Sequence, residues 1–227
     1  MSKGNTFEND LLQLIFNNVD IALIGDSAGL QNSAANGNLY VSLHTANPAE
    51  GGAQNTSEAA FGAYARVAVA RPAGWTVSTN QATNAAVVAF PAATSGSETE
   101  LFWGIGAEAS GAGKLLYYGP CGAQNPELFT AAVNDNITIP GHTLIVDDRI
   151  VFFQVPNDTF PTGITEGQVY WVKTSATDVI TISATQGGAV VDITAVGAGW
   201  AQKVQGLAVS TGITPQFAAG ALKVYED

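Results

Sequence analysis

The sequence has few charged residues, and most of them are acidic. Asp, Glu, Lys and Arg make up only 12% of its 227 residues, about half of the roughly 25% that is usual for soluble domains. Nineteen acids against eight bases give a formal net charge of -11. The field around such a chain repels phosphate backbones, so we expect no direct nucleic-acid partner.

Cysteine and long apolar runs are scarce as well. The single cysteine, Cys121, cannot form an internal disulfide. The opening MSKGN has no apolar signal region, so we expect synthesis in a bacterial cytoplasm. No stretch reaches the roughly 18 to 20 consecutive apolar residues of a membrane helix, and no membrane partner is expected.

Glycine and short alternating segments are abundant, and both are typical of a protein rich in strands and turns. Leu39, Val41 and Leu43 alternate with polar residues, which predicts a half-buried strand. A polar loop from Asn47 to Ser57 follows, and a second strand begins near Tyr64. We predict that the loop is a surface for a partner. The candidate contact residues there are His44, Asn47, Pro48, Gln54 and Asn55, although His44 has a structural alternative, a bond to the loop backbone.

One helix is predicted, from Phe7 to Ile24. Its apolar residues recur at steps of three and four; they are Phe7, Leu11, Leu14, Ile15, Phe16, Val19 and Leu23. Asn5 with Glu8 resembles a capping box, and Gly25 offers a stop. The helix either docks on the sheet of its own domain or packs on a neighbouring subunit through Phe7, Leu11, Leu14 and Ile15. The polar linker from Asp26 to Asn38 predicts a flexible connection.

The remaining strand candidates divide the chain into three parts: residues 1–38, a helical arm and linker; 39–126 with 205–227, the main β-sandwich; and 127–204, an inserted small β domain. The insert is predicted because Asp, Ile and Val become frequent there while alanine becomes less frequent. The predicted fold class is all-β: an antiparallel, jelly-roll-like sandwich with one N-terminal helix and an inserted small barrel or sandwich.

Four stretches resemble a family of small virion structural proteins of tailed bacteriophages, which includes capsid cement proteins and proteins labelled as tail fibres. They are MSKGNTFENDLLQLIFN, LYVSLHTANPAEGGAQNTSEAAFGAYARVAVARPAGW, GIGAEASGAGKLLYYG and GITPQFAAGALKVYED. The segments DRIVFF, PTGITEGQVYWV and TISATQGGAVVDIT resemble a β module of phage structural proteins. The resemblance to that module implies a glycine before the second aspartate of IVDDRI, where this chain has Asp147.

Motifs for catalysis are missing, so we predict a protein that is not an enzyme and that holds no metal or cofactor. The chain has two histidines and neither a Gly-x-Ser-x-Gly elbow nor a His-Glu-x-x-His pair. Cys121 is interpreted as a buried or incidental thiol, and Asp147 with Asp148 as a solvated turn, since two acids are far fewer than a calcium site needs. Trp171 and Trp200 are candidates for glycan binding, with core packing as the alternative.

The resemblance implies a virion location, and we predict first a capsid cement protein on the capsid exterior. It would bind the major capsid protein and itself, as a dimer or trimer, with many weak contacts acting together. The alternative is a tail or head fibre component that binds a host surface glycan through the inserted domain. A hydrolase of the cell envelope is a third hypothesis, and it lacks a visible acid/base pair.

Overall fold

The computed structural model describes residues 3–122, 125–155 and 158–226. Within these ranges the strands pair antiparallel, and the predicted all-β class with one helix is confirmed. The elements are α1 (Asn5–Asn17), β1 (Asn38–His44), β2 (Val67–Ala70), β3 (Trp75–Ser78), β4 (Gln81–Asn84), β5 (Val88–Ala89), β6 (Ser97–Glu100), β7 (Phe102–Gly106), β8 (Leu115–Pro120), β9 (Glu127–Ala131), β10 (Ile137–Thr138), β11 (Arg149–Phe153), β12 (Val169–Ala176), β13 (Val179–Ser183), β14 (Gly197–Val204), β15 (Leu207–Ser210), β16 (Gln216–Phe217) and β17 (Lys223–Tyr225).

The chain forms two compact units, and unit 1 comprises Met1–Tyr118 with Ala208–Asp227. Its largest sheet has the order β2-β1-β7-β8, and a three-stranded sheet has the order β17-β4-β3. Leu39, Val41 and Leu43 are buried as predicted, but the alternating polar residues Ser42 and His44 are buried too, so the second half of β1 is covered on both faces and the strand is not half-buried. The last strand, β17, pairs with β4 and so brings the C-terminal segment into unit 1.

The helix is shorter than the apolar spacing predicts. It ends at Asn17 because Asn18 adopts a left-handed conformation with φ of 58° and bonds back to the carbonyl of Gln13. The predicted capping box does not form, since the N-cap is Gly4 and makes no side-chain bond. Leu12 and Phe16 are fully buried, and α1 packs against β3 and β4 of its own unit.

The predicted flexible linker is wrong, because residues 18–36 are folded. Ile21 and Leu30 form an antiparallel bridge with both backbone hydrogen bonds, 3.0 and 2.9 Å. Asp26 closes the turn by accepting bonds from Ala28 N and Gly29 N. A segment rich in Asn, Ser and Asp thus folds through side-chain bonds to its own backbone, as those residues favour.

Unit 2, Gly119–Leu207, is a closed barrel of six strands in the order β10-β13-β12-β11-β14-β9. Pairing of β10 with β9 closes it. A separate apolar core fills it, including Phe129, Phe152 and Ile180. Where the chain enters and leaves the barrel, Gln205 N donates to Cys121 O at 2.7 Å. Closure pairs every strand with two neighbours and so leaves no unpaired sheet edge.

Candidate functional site

The predicted contact loop from Asn47 to Ser57 is held to unit 1 by two fully buried polar side chains. Nδ1 of His44 donates to the carbonyl of Thr56 at 2.8 Å, and its Nε2 lies 2.9 Å from the Ser42 hydroxyl. Burial lowers the pKa of His44, so the ring is neutral at pH 7 and Nε2 accepts from Ser42. The structural interpretation of His44, a bond to the loop backbone, is confirmed.

Gln54 holds the middle of the same loop. Its Oε1 accepts a bond from Glu108 N at 2.9 Å, and its own backbone N–H donates to Gly113 O at 3.0 Å. The side chain fills the space left by Gly106 and Gly113, where an added Cβ would overlap it. Gly106 and Gly113 of the GIGAEASGAGK stretch are therefore required by the loop side chain that packs on them.

Arg66 and Glu58 fix the far end of the loop through a partly buried ion pair. Arg66 Nε donates to Glu58 Oε1 at 2.6 Å and Nη2 to Oε2 at 2.8 Å. The same guanidinium donates to the carbonyls of Glu108 and Gly111. Tyr64 adds a bond to Glu58 at 2.9 Å, and burial raises the pKa of its hydroxyl. A bidentate pair of this kind fixes geometry as well as charge.

The residues predicted to bind a partner in unit 1 differ in accessibility. His44, Pro48 and Gln54 are buried, while Asn47 is partly exposed and Asn55 is exposed. On α1, Phe7 is exposed, and Leu11, Leu14 and Ile15 are partly exposed. Only the exposed and partly exposed members present a surface, and binding of a partner through them stays a prediction.

Of the two tryptophans predicted for glycan binding, Trp171 already has an occupied face. The guanidinium carbon of Arg149 lies 4.6 Å from its ring centroid, and the two residues stand opposite each other on β11 and β12. This cation–π contact is a stabilising arrangement on the barrel surface. A sugar ring would have to compete with Arg149 for that face.

Trp200 lies in an apolar row that crosses three strands. Residues directly opposite it are Leu128 on β9 and Phe153 on β11. Trp200 is 38% exposed and Leu128 58% exposed. The exposed Thr130 is two residues from Leu128 on the same face, because side chains alternate along a strand. We call Leu128, Trp200 and Phe153 the aromatic row.

Comparison with known proteins places the chain in a family. The profile of podophage GP4 fiber I protein gp80 matches residues 3–147, which is more than half of the chain. The chain belongs to this fibre-protein family. It is therefore a phage virion structural protein. A search of the curated proteins found no match.

The family match covers the loop and its anchors and ends inside the barrel unit. Residue 147, its last position, lies just before β11. Asp147 adopts a φ of 72°, so the turn keeps the left-handed backbone that a glycine favours, with aspartate in its place. Asp147 is exposed, in agreement with the predicted solvated turn, whereas its neighbour Asp148 is partly exposed and pairs with Lys203 Nζ at 2.6 Å.

The side chains considered for catalysis are buried or make hydrogen bonds within the chain. Cys121 is buried, as predicted, and both ring nitrogens of His44 make hydrogen bonds. In residues 3–122, 125–155 and 158–226, no group of three or more His, Cys, Asp or Glu could hold a metal ion. No helix within the same residues is long and apolar enough to cross a membrane. The absence of enzymatic activity stays a prediction.

Sequence reasoning missed a buried carboxyl in unit 1, that of Glu100 at the end of β6. The side chain is fully buried, and in the described part of the chain neither of its oxygens has a hydrogen-bond partner. Burial, with the nearby Glu98, raises the pKa of Glu100 to about 8. Nothing in the polar segment Ser97–Glu100 indicates from local sequence that this carboxyl is buried.

Proposed function

We propose that this protein is a fibre component of the virion whose barrel unit binds a carbohydrate of the host surface. The family match to a fibre protein supports the location. One observation supports carbohydrate binding: Trp200 is exposed beside Leu128 and Phe153 on the outer barrel wall. Sugar-binding sites combine a flat apolar surface with a few polar groups, and Thr130 supplies a hydroxyl on this face.

The test measures binding of the full-length protein to polysaccharide extracted from the host surface. Trp200→Ala should weaken binding about tenfold, because truncating a central aromatic costs about 1 to 2 kcal/mol. Trp171→Ala should change it less, since Arg149 covers that ring. Tyr225→Ala removes a comparably exposed aromatic from unit 1 and serves as the matched control. Undiminished binding by Trp200→Ala contradicts the proposal.

A capsid cement role is the second candidate, and the rigid loop favours it. Asn47 and Asn55 are accessible on a loop that Gln54 and His44 already hold in place. Docking of this loop on a capsid lattice would therefore cost little additional conformational entropy. Densitometry of purified virions separates the two roles. A copy number near that of the major capsid protein supports cement, and a few copies per particle support a fibre.

A further inference from the structure

The N-terminal hairpin, residues 19–30, combines a rigid base with an apolar tip. Ile21 is buried, but the large aliphatic side chains around it are not. Val19 is 48% exposed, Leu23 79%, Ile24 39% and Leu30 45%. Grouped exposure of this kind on so short a segment is costly in water and typical of a contact surface.

The base of the hairpin is fixed by a dense polar network. Asn18 accepts bonds from Ser33 N at 3.0 Å and from Ser33 Oγ at 2.7 Å, and its amide donates to Ser33 O. Arg71 adds bonds to Leu14 O, Asn18 Oδ1 and Asn36 O. The tip is therefore held in place before any partner arrives, which lowers the entropy cost of binding.

Charge around the tip is of one sign. No Lys or Arg occurs between Lys3 and Arg66. Asp20 and Asp26 flank the tip and each use Oδ1 to accept backbone bonds. The nearest cation along the hairpin network, Arg71, is committed to the base. The surface is thus apolar at its centre and negative at its edge.

A second copy of this chain is a poor occupant for such a surface. Its net charge is -11, and Arg66, Arg71, Arg149 and Lys203 are all engaged within their own subunit. A twofold contact through this surface would bring its own acidic edges, Asp20 and Asp26, together, and like charges across an interface are unfavourable.

We propose that the N-terminal hairpin docks this protein on the virion by inserting Leu23 and Ile24 into an apolar pocket rimmed by Lys or Arg on a different virion protein. The inference does not depend on carbohydrate binding, which would involve unit 2. Burial of the aliphatic tip supplies affinity, and Asp20 and Asp26 supply orientation and faster association. A pocket without a basic rim would leave those two carboxylates without partners at the interface.

The test is complementation of a phage that carries a nonsense mutation in this gene, with plasmid-borne variants in the host. Incorporation is the amount of this protein per purified particle, relative to the major capsid protein. Leu23→Glu with Ile24→Glu should reduce incorporation at least tenfold. The matched control is Val87→Glu, which changes an exposed valine elsewhere in unit 1, and it should incorporate within twofold of the wild type.

A charge variant decides the case if the tip variant fails to fold, as judged by circular dichroism. Asp20→Asn with Asp26→Asn keeps each Oδ1 acceptor and removes both charges. It should bind particles that lack this protein more weakly than the wild type does at low salt, and its binding should depend less on salt concentration.

Normal incorporation of the tip variant, or an unchanged salt dependence of the charge variant, overturns the proposal. Loss of a homo-oligomer in light scattering of the tip variant also overturns it, because the occupant is then a second copy. Trp200→Ala should incorporate normally, so failure of carbohydrate binding and failure of docking are distinguishable.

Discussion

Single residues in this chain hold conformations or charge states that composition does not reveal. Asp147 occupies a left-handed turn where the resemblance implies glycine, and the turn is kept. Aspartate is among the few residues that tolerate this backbone, because its short polar side chain can bond locally. The substitution changes the residue and preserves the geometry at the entrance to β11.

Glu100 gives unit 1 a pH-dependent stability. Its pKa is about 8 in the folded chain, against an ordinary value of 4.5. Below pH 4.5 it is protonated in both the folded and the unfolded states. Between pH 4.5 and 8 only the unfolded state releases the proton, so the free energy of unfolding falls as pH rises, by at most about 1.4 kcal/mol per pH unit.

We therefore expect Glu100→Gln to be more stable than the wild type at pH 8, with a smaller gain at pH 5. The amide keeps the shape and removes the buried charge. Urea unfolding at pH 5, 6.5 and 8 measures this, in a Trp171→Phe, Trp200→Phe background so that the remaining tryptophans report unit 1. Parallel stability profiles for the variant and its parent would rule out Glu100 as the titrating group.

At the scale of elements, the long loop behaves as part of the sheet that it adjoins. Gln54 and Arg66 both bond the segment from Glu108 to Gly113, and His44 on β1 bonds the carbonyl of Thr56. The stretch that best carries the family resemblance is thus a buried hydrogen-bonding network as well as a surface. Its exposed members are the ones left for a partner.

The close packing of the loop on β7 predicts that one added methyl group at Gly106 strongly destabilises unit 1. An added Cβ at Gly106 overlaps the Gln54 side chain, whereas at Gly51 it meets nothing within 4 Å. Gly106→Ala should destabilise unit 1 by about 2 kcal/mol or more, as overpacking of an interior does. Gly51→Ala, in the same loop, should stay within about 0.5 kcal/mol of the wild type. Chemical denaturation measures both.

A double variant checks the cause. Because Gln54→Ala removes the atoms that a Cβ at Gly106 would meet, the pair Gln54→Ala, Gly106→Ala should cost less than the sum of the two single changes. Strict additivity would mean that Gly106 is sensitive for another reason, such as a shift of the β7 backbone.

Some elements are predictable from the sequence, and others depend on distant residues. β1 follows from its large alternating aliphatics, but the polar segment Gln81–Asn84 carries no such signal and still forms β4. Its inward residues are Ala82 and Asn84, and the buried amide of Asn84 is satisfied by Ala86 O, Ala218 O and Leu222 N. Partners more than 130 residues away cannot be inferred from local spacing.

The helix and its linker show the same limit. Apolar spacing continues past Asn17, yet the helix ends there because Asn18 adopts a left-handed backbone, and the side chain of Asn18 bonds Ser33. Contacts of this kind, between residues 15 positions apart, help to order the supposed linker and cannot be inferred from local spacing. In the candidate site, the exposure of Trp200 likewise follows from the parity of β14, a Gly- and Ala-rich strand that sequence reasoning did not predict.

At the scale of the whole molecule, strand pairing keeps each unit self-contained. The barrel is closed by strands β9 to β14 alone, and it has its own core. The large sheet of unit 1 uses β1, β2, β7 and β8. A closed barrel leaves no edge that needs another strand, so it is suited to insertion in a host fold.

We expect that excising residues 123–204 leaves unit 1 folded. The cut ends are close, since Gln205 N bonds Cys121 O at 2.7 Å, and a two-residue Asn-Gly turn can join Gly122 to Gln205. A short connection adds little loop entropy, so the free energy of unfolding of unit 1 should change by no more than about 1 kcal/mol. The measurement is denaturant unfolding followed by the fluorescence of Trp75 and Trp103, both buried in unit 1. An excised chain that exposes its tryptophans to solvent at low denaturant would show that unit 1 requires the barrel for its own stability.

The separate segment 119–207 should fold as well and retain carbohydrate binding, because the aromatic row lies entirely within it.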